Sequence, residues 1–417
     1  MDRVGIVVCN YNKEKDVITC INSIIENKYT SYHVYVVDNA STDGSVAQIR
    51  KYFSKDKRIT LIVNPENLGG SGGFNTGLRM AFKAGHEYLM CVDNDAILDE
   101  ACIGSLLEFH EKHPNVGIVA PKIYHTDCPG YIQQFGSYID FENYYVNSTY
   151  LNRIDDETIP GVVYSDAVPA CALMIKRRVV EKIGFMPEEN FIYWDDTEWC
   201  YRCKEAGYKI ASIGYAAASH AMGAKGECSN TFPTYYSWRN WIVFFKNHLP
   251  EERLEDMAEV FLNSIFQLTY EDLYKGDDKK TKTVMAALDD ALHGVMGKAG
   301  PDRIFTIEDR YTGLEKILKG ASFAYVAVNG YPLYANYIIK RIGEIDPKIK
   351  TMKVEQPICT NNGDHIVISL CENIFEQDDL SLKMYICDLN GEIITDENDV
   401  MKVINFPYAR HSFKNAL

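Results

Sequence analysis

Short apolar runs recur through the first third of the chain, and between them apolar residues return every three or four positions. The runs Val4–Cys9, His33–Asp38, Ile59–Asn64, Tyr88–Asp93 and Gly117–Pro121 read as strands. The intervening stretches Lys15–Asn27, Ser45–Tyr52, Gly72–Ala84 and Glu100–His113 read as amphipathic helices. Strands that alternate with helices, and that are apolar throughout, predict a mostly parallel sheet covered on both faces. Such sheets place ligands beyond the carboxyl ends of their strands. The polar clusters fall there: Asn10-Tyr11-Asn12, then Asp38 through Gly44, then Asp93-Asn94-Asp95.

Past about residue 130 the pattern loosens into aromatic and polar segments, with Gln133-Gln134-Phe135-Gly136 and a tyrosine cluster at 144–150. Val162–Ile175 is strand-like, a helix is expected from near Asp195, and Lys209–Ala218 is strand-like again. Residues 235–249 have helical spacing and end at Pro250; 251 to about 300 is helical; strands return at Phe323–Val328, Ile366–Leu370 and Lys383–Cys387. The Asn390-Gly391 pair after the last of these is a hairpin-turn signal. The expected division is an α/β domain with a mostly parallel sheet over 1–250, a helical segment over 251–320 and a smaller α/β or β-rich unit over 321–417, whose role carries no motif.

Composition narrows the function classes. The formal charge of −15 over 417 residues, from 58 acidic and 43 basic side chains, argues against nucleic acid as a partner, because phosphate-backbone binding needs a basic surface. A nucleotide is not excluded, since its phosphates need only local neutralisation. The twelve cysteines are scattered, and several sit in apolar runs. No secretory pattern precedes the first strand, so the sequence predicts reduced thiols in a cytoplasmic protein. Cys200 and Cys203 have no second pair at zinc-binding spacing and read as ordinary buried thiols on one helix turn. No run reaches the roughly 18 apolar residues of a membrane span.

Four segments carry candidate chemistry. Asp93 and Asp95 end an apolar strand one residue apart; with a diphosphate they would make a hard-oxygen site for magnesium or manganese. The competing reading is a solvated turn. Asn67 through Gly77 is glycine-rich but is neither a Walker loop nor G-x-G-x-x-G. Its glycines admit a ligand close to the backbone or, equally, tight packing of helix on strand. In Phe191-Ile192-Tyr193-Trp194-Asp195-Asp196, two acids at a helix start follow a run of aromatics. That is either a simple cap or a sugar platform beside a general base. His220 ends a strand-like segment and becomes a ligand candidate only in company.

In this order and at these separations, the four segments resemble the family-two inverting glycosyltransferases of GT-A fold. Ile6 through Asn12 and Val36 through Ser45 extend the resemblance, which covers about residues 3–250. The stretch 67–74 is similar to one found in bacterial rhamnosyl- and galactofuranosyltransferases. The resemblance implies that Asn10, Tyr11 and Asp38 line a nucleoside pocket and that Gly69, Gly70, Gly72 and Gly73 lie along the donor. It places Asp93 and Asp95 at a metal-binding D-x-D, with Asn94 between them on the donor side, and His220 at a third metal position. Asp196 stands at the catalytic base, beside Asp195, and Trp194 and Tyr193 would meet the acceptor. Arg239, with Asn240, matches a pair assigned near the diphosphate.

The implied partners are a UDP- or dTDP-sugar donor, a glycan or lipid-linked oligosaccharide acceptor and a manganese or magnesium ion. A homo-oligomer is left open. The stripe Tyr235, Trp238, Trp241, Ile242, Phe245 and Leu249, flanked by Arg239 and Lys246, allows peripheral membrane contact; packing on the catalytic core is the alternative, which the net negative charge favours. The rival functions are a sugar-1-phosphate nucleotidyltransferase, whose basic glycine-rich signature is missing at Cys9–Lys15, and a non-catalytic carbohydrate-binding subunit.

Overall fold

The first strands are set by β-branched runs such as Val4-Gly5-Ile6-Val7-Val8, whose side chains are buried on both faces. The computed structural model describes residues 2–221, 230–307, 312–377, 384–389 and 391–416. The chain divides into two units: Met1–Lys225, Phe232–Met257 and Val284–Ile304 form the first, and Gly226–Thr231, Ala258–Thr283 and Phe305–Leu417 the second.

The first unit opens with β1 (Val4–Asn10), α1 (Asp16–Ile25), β2 (Tyr32–Asp38), α2 (Ser45–Phe53), β3 (Ile59–Val63), α3 (Gly69–Ala84) and β4 (Tyr88–Asp93). It continues with β5 (Ala96–Leu98), α4 (Cys102–Lys112), β6 (Val116–His125), β7 (Ile132–Gln134), β8 (Ser137–Asp140), β9 (Tyr145–Ser148) and β10 (Val162–Ser165). Then come β11 (Ala172–Lys176), α5 (Arg177–Ile183), α6 (Asp195–Glu205), β12 (Lys209–His220) and α7 (Phe232–His248). Among the described residues the main sheet runs β10-β12-β6-β11-β4-β1-β2-β3, with β5 on β12 and β7 on β6. β3, β2, β1 and β4 are mutually parallel, as the alternation predicts. β8 and β9 pair as a separate hairpin.

Two differences from the sequence reading bear on the site. The strand expected over Val162–Ile175 is two strands, β10 and β11, joined by a loop through Pro169 to Cys171. β11 runs antiparallel to both β4 and β6, so the sheet is mixed at its centre. The second difference is α3, which begins at Gly69 and so takes in the glycine-rich loop. Its glycines face protein: a Cβ on Gly73 would lie 2.4 Å from Cys9 Sγ, and one on Gly77 2.3 Å from Val7 Cγ1. The helix therefore sits closer to β1 than any side chain at those two positions would allow.

Half of the α7 stripe is core. Tyr235, Tyr236, Ile242, Phe244 and Phe245 are all buried, Trp194 packs against Phe244 and Phe245, and Trp241 donates to the Tyr144 carbonyl at 2.6 Å. Tyr235, Ile242 and Phe245 of the stripe are thus buried in the unit, in keeping with the core alternative, and Trp238, Trp241 and Leu249 are half-buried. No described helix is long and apolar enough to cross a membrane. The eleven described cysteines are free thiols, Cys200 and Cys203 among the buried ones.

The division between the units falls within α8 (Leu254–Lys275) and α9 (Lys279–His293). The second unit adds α10 (Thr312–Leu318), β13 (Phe323–Ala327), α11 (Pro332–Ile345), β14 (Lys350–Val354), β15 (His365–Cys371), β16 (Tyr385–Asp388) and α12 (Glu397–Lys414). Its sheet is all parallel, in the order β14-β13-β15-β16, which makes it an α/β unit with its own core around Val326, Ile338 and Ile368. The expected strand Lys383–Cys387 is β16, with Lys383 outside the described residues. The Asn-Gly turn signal cannot be placed either, because Asn390 also lies outside them.

Candidate active site

The parallel register brings the ends of β1, β2 and β4 to one edge, with Asn10 beside Asp38 and Cys9 beside Asp93. Side-chain amides stitch those ends together. Asn10 donates to Asp38 at 2.9 Å and Asn94 donates to Asn10 at 2.9 Å; the other Asp38 oxygen accepts the Ser41 N–H at 2.9 Å. Asn10 and Asp38 are completely buried, whereas Tyr11 is 44% exposed. Of the three residues expected at a nucleoside pocket, Tyr11 is therefore the one whose side chain is open to a ligand.

Asp93 and Asp95 lie just beyond this edge. β12 pairs antiparallel with β5, opposing His220 to Ala96, the residue after Asp95. That pairing carries His220 across 125 residues of sequence to the two acids. Its Nε2 is 3.1 Å from an Asp95 oxygen and 3.6 Å from an Asp93 oxygen, and one ligand atom from each of the three lies within 4.8 Å of the others. Two carboxylates and an imidazole at this spacing could hold a divalent cation. Burial pushes the Asp93 carboxyl up to about 6, helped by repulsion from Asp95 and Asp196 and opposed by His220. Burial also works against charge on His220, yet the Asp95 hydrogen bond and the Asp93 charge hold its imidazole above its ordinary value. The other ring nitrogen, Nδ1, is 2.8 Å from the Gln133 Oε1.

The acids of α6 reach the same place through the β10–β11 loop. The Cys171 carbonyl accepts the Asp93 N–H at 3.0 Å, and the neighbouring Ala170 N–H donates to Asp196 at 3.2 Å. Adjacent residues of one loop thus hold the D-x-D strand and the α6 carboxylate. Burial raises both α6 acids. Asp195 rises to about 7, with Asp196 adding repulsion. In Asp196 the rise is countered by the N–H groups of Ala170 and Thr197. Those donors favour the charged form of Asp196, though burial still holds its carboxyl above the ordinary value.

The rise in Asp195 has a measurable consequence. A carboxyl whose folded value lies above its unfolded value of about 3.9 binds its proton more tightly when folded. Its contribution to stability therefore falls as pH rises from about 4 to about 7. Asp195→Asn removes that dependence. In metal-free protein, the melting temperature of the variant minus that of the wild type should grow across this window and then level off. A difference independent of pH would refute the assignment.

The loop before α6 is backbone-strained. Phe191, Tyr193 and Trp194 have φ of 67°, 63° and 62°, a region that costs a residue with a Cβ about 1–2 kcal/mol. Arg239 and Asn240 hold it there. Asn240 Nδ2 lies 2.8–2.9 Å from the carbonyls of Asn190, Ile192 and Tyr193. Arg239 donates to Asn190 O at 2.8 Å, Gly297 O at 2.7 Å and Asn240 Oδ1 at 2.9 Å. With its guanidinium wholly buried and spent on these acceptors, Arg239 is a brace for the loop. This corrects its expected place at a diphosphate. Trp194 and Tyr193 are only half-buried, with Trp194 leaning on α7 and Tyr193 packed by the Tyr235–Tyr236 cluster.

The glycines divide in the same way. A Cβ on Gly69 would lie 2.1 Å from the Phe191 carbonyl oxygen, and one on Gly72 2.7 Å from Leu68 Cβ. With Gly73 on Cys9, these three serve packing. Gly70 alone of the four has room, with Ile192 at 3.5 Å and Asp195 at 3.9 Å from its would-be Cβ. The sequence reading missed Asn39, whose amide joins Asn64, Asn67, Leu68 and Gly69, and it missed Gln133 and the Ala170–Cys171 loop. Their contacts span long stretches of chain, where motif spacing carries no signal.

The chain is similar to several known proteins. Residues 5–184 match the Glycosyl transferase family 2 model. A low-salt glycan biosynthesis hexosyltransferase of Haloferax volcanii is 24% identical over 318 residues, covering 73% of this chain and 95% of the relative. A dTDP-rhamnosyl transferase of Shigella flexneri is 26% identical over 310 residues, covering 70% and 96%. A galactofuranosyltransferase of Mycobacterium tuberculosis is 24% identical over 259 residues, covering 58% and 39%. Residues 5–184, the stretch similar to glycosyl transferase family 2, take in the acidic turn after β4 with Asp93 and Asp95, while the α6 acids and His220 follow it in the chain.

Proposed function

We propose that the chain transfers a hexose or deoxyhexose, with inversion at the anomeric carbon, from a UDP- or dTDP-sugar to a hydroxyl of a polysaccharide or lipid-linked oligosaccharide. The observation that carries this reading is the meeting of Asp93, Asp95 and His220 with Asp196 across the Ala170–Cys171 loop. The rhamnosyl and hexosyl relatives support the sugar classes.

Asp93, Asp95 and His220 would hold a divalent manganese or magnesium ion, and their mixed carboxylate and imidazole donors fit one. Bound there, such an ion supplies positive charge against the departing diphosphate. The protein's own part begins with Tyr11, open at the strand edge for the nucleoside. Asp196 then accepts the proton of the acceptor hydroxyl as its oxygen bonds to the anomeric carbon. The bond from that carbon to the diphosphate oxygen breaks, and the leaving group keeps the electron pair. One carboxylate suffices, because the leaving group needs charge stabilisation rather than a proton. The Arg239–Asn240 brace keeps α6, and with it Asp196, at a fixed start.

The donor is tested by thermal unfolding against a panel of nucleotide sugars with manganese present. Ligands of the folded state raise the melting temperature, by an amount that grows with concentration over Kd. A UDP- or dTDP-sugar should protect most, and protection by none of the panel would remove the nucleotide-sugar reading.

A further inference from the structure

β7 and β6 pair antiparallel, with Ile123 opposite Gln134 and Tyr124 opposite Ile132. One step along β6 thus spans two along β7, which makes Gln133 the extra residue of a β-bulge. A bulge leaves its extra residue out of the ladder and turns its side chain in a new direction. Here it turns toward the end of β12. The Gln133 amide engages His220 twice: Oε1 is 2.8 Å from Nδ1, and Nε2 donates to the His220 carbonyl at 3.0 Å. Gln133 is buried, 6% exposed, so no water competes for either contact on easy terms. An amide oxygen can only accept, so the ring nitrogen it meets carries the hydrogen. That leaves Nε2, the nitrogen facing Asp93 and Asp95, with its lone pair free in the neutral ring.

We infer that Gln133 is a positioning residue for the cation site: it fixes the tautomer and orientation of His220 so that Nε2 is presented to a divalent ion between Asp93 and Asp95. The inference rests on the reading of those three residues as cation ligands. Partners of this kind behind a ligating histidine typically change metal affinity about 10–100-fold when removed.

The test is manganese binding, read as the free-ion signal in electron paramagnetic resonance, with no turnover involved. Gln133→Met, of similar size but without the amide, should weaken manganese binding by about 10–100-fold. Gln133→Glu keeps an acceptor for Nδ1–H and should stay within a few-fold of wild type. In a His220→Ala background Gln133→Met should add nothing, because its effect passes through His220. Wild-type affinity in folded Gln133→Met, or an equal loss in both backgrounds, would overturn the inference. Unchanged binding in His220→Ala alone would instead bring down the cation reading beneath it, and the two failures are thereby told apart. Nitrogen NMR of histidine-labelled wild-type protein with magnesium bound supplies a check that needs no variant. The neutral His220 ring should carry its hydrogen on Nδ1, and a hydrogen on Nε2 would contradict the inference.

Discussion

Asp196→Asn is expected to lower turnover by about 10²–10⁴-fold while leaving donor affinity nearly unchanged. The amide is isosteric, and its single oxygen can still accept from one of the Ala170 and Thr197 N–H groups, which now meet different oxygens of Asp196, so most of the local fold should persist. What it cannot do is take up the acceptor's proton. The loss should therefore appear in kcat, with nucleotide-sugar binding, measured by calorimetry, as in the wild type. A variant that keeps more than about a tenth of wild-type turnover would place the base elsewhere, and Asp195, buried beside Gly70, would be next to examine. The wild type should also lose activity as pH falls through the raised Asp196 value, so the acid limb of its pH profile should lie above the ordinary carboxylate range.

The second large effect concerns the cation. Chelation should abolish activity, and manganese or magnesium should restore it. Asp95→Ala should weaken nucleoside diphosphate binding when metal is present and have little effect when it is absent. Asp95 is the acid nearest His220, at 3.1 Å, and is also faced by Lys13 at 3.8 Å, so its removal disturbs the site more than a peripheral acid would. His220→Ala should act in the same direction but more weakly, because water can replace one neutral ligand. Diphosphate affinity indifferent to chelator and to Asp95 alike would remove the metal assignment.

What the sequence made legible was whatever depends on local periodicity. β1 to β4 follow from apolar runs, and their carboxyl ends from the polar residues that close them, so Asn10, Asp38 and Asp93 fall where the alternation puts them. Partners set by long-range pairing were not legible. Nothing local says that β11 is antiparallel, or that the loop before it ties Asp93 to Asp196. Motif matching also misled where one residue type serves two purposes. A buried arginine near a glycosyl-transfer motif suggests phosphate, yet Arg239 spends its donors on the carbonyls of Asn190 and Gly297 and on the Asn240 side chain. Glycines suggest ligand approach, yet three of the four here exist because α3 presses on Leu68, Cys9 and the Phe191 carbonyl. The apolar stripe of α7 was ambiguous for the same reason, since a helix face that suits lipid also suits a core.

The central claim, direct displacement assisted by a single carboxylate, is tested most directly by the anomeric configuration of the first-formed product, read from proton NMR coupling during turnover of the accepted donor. One displacement aided by Asp196 predicts a glycosidic bond of configuration opposite to that of the sugar–phosphate bond in the donor. A product that keeps the donor's configuration would contradict it.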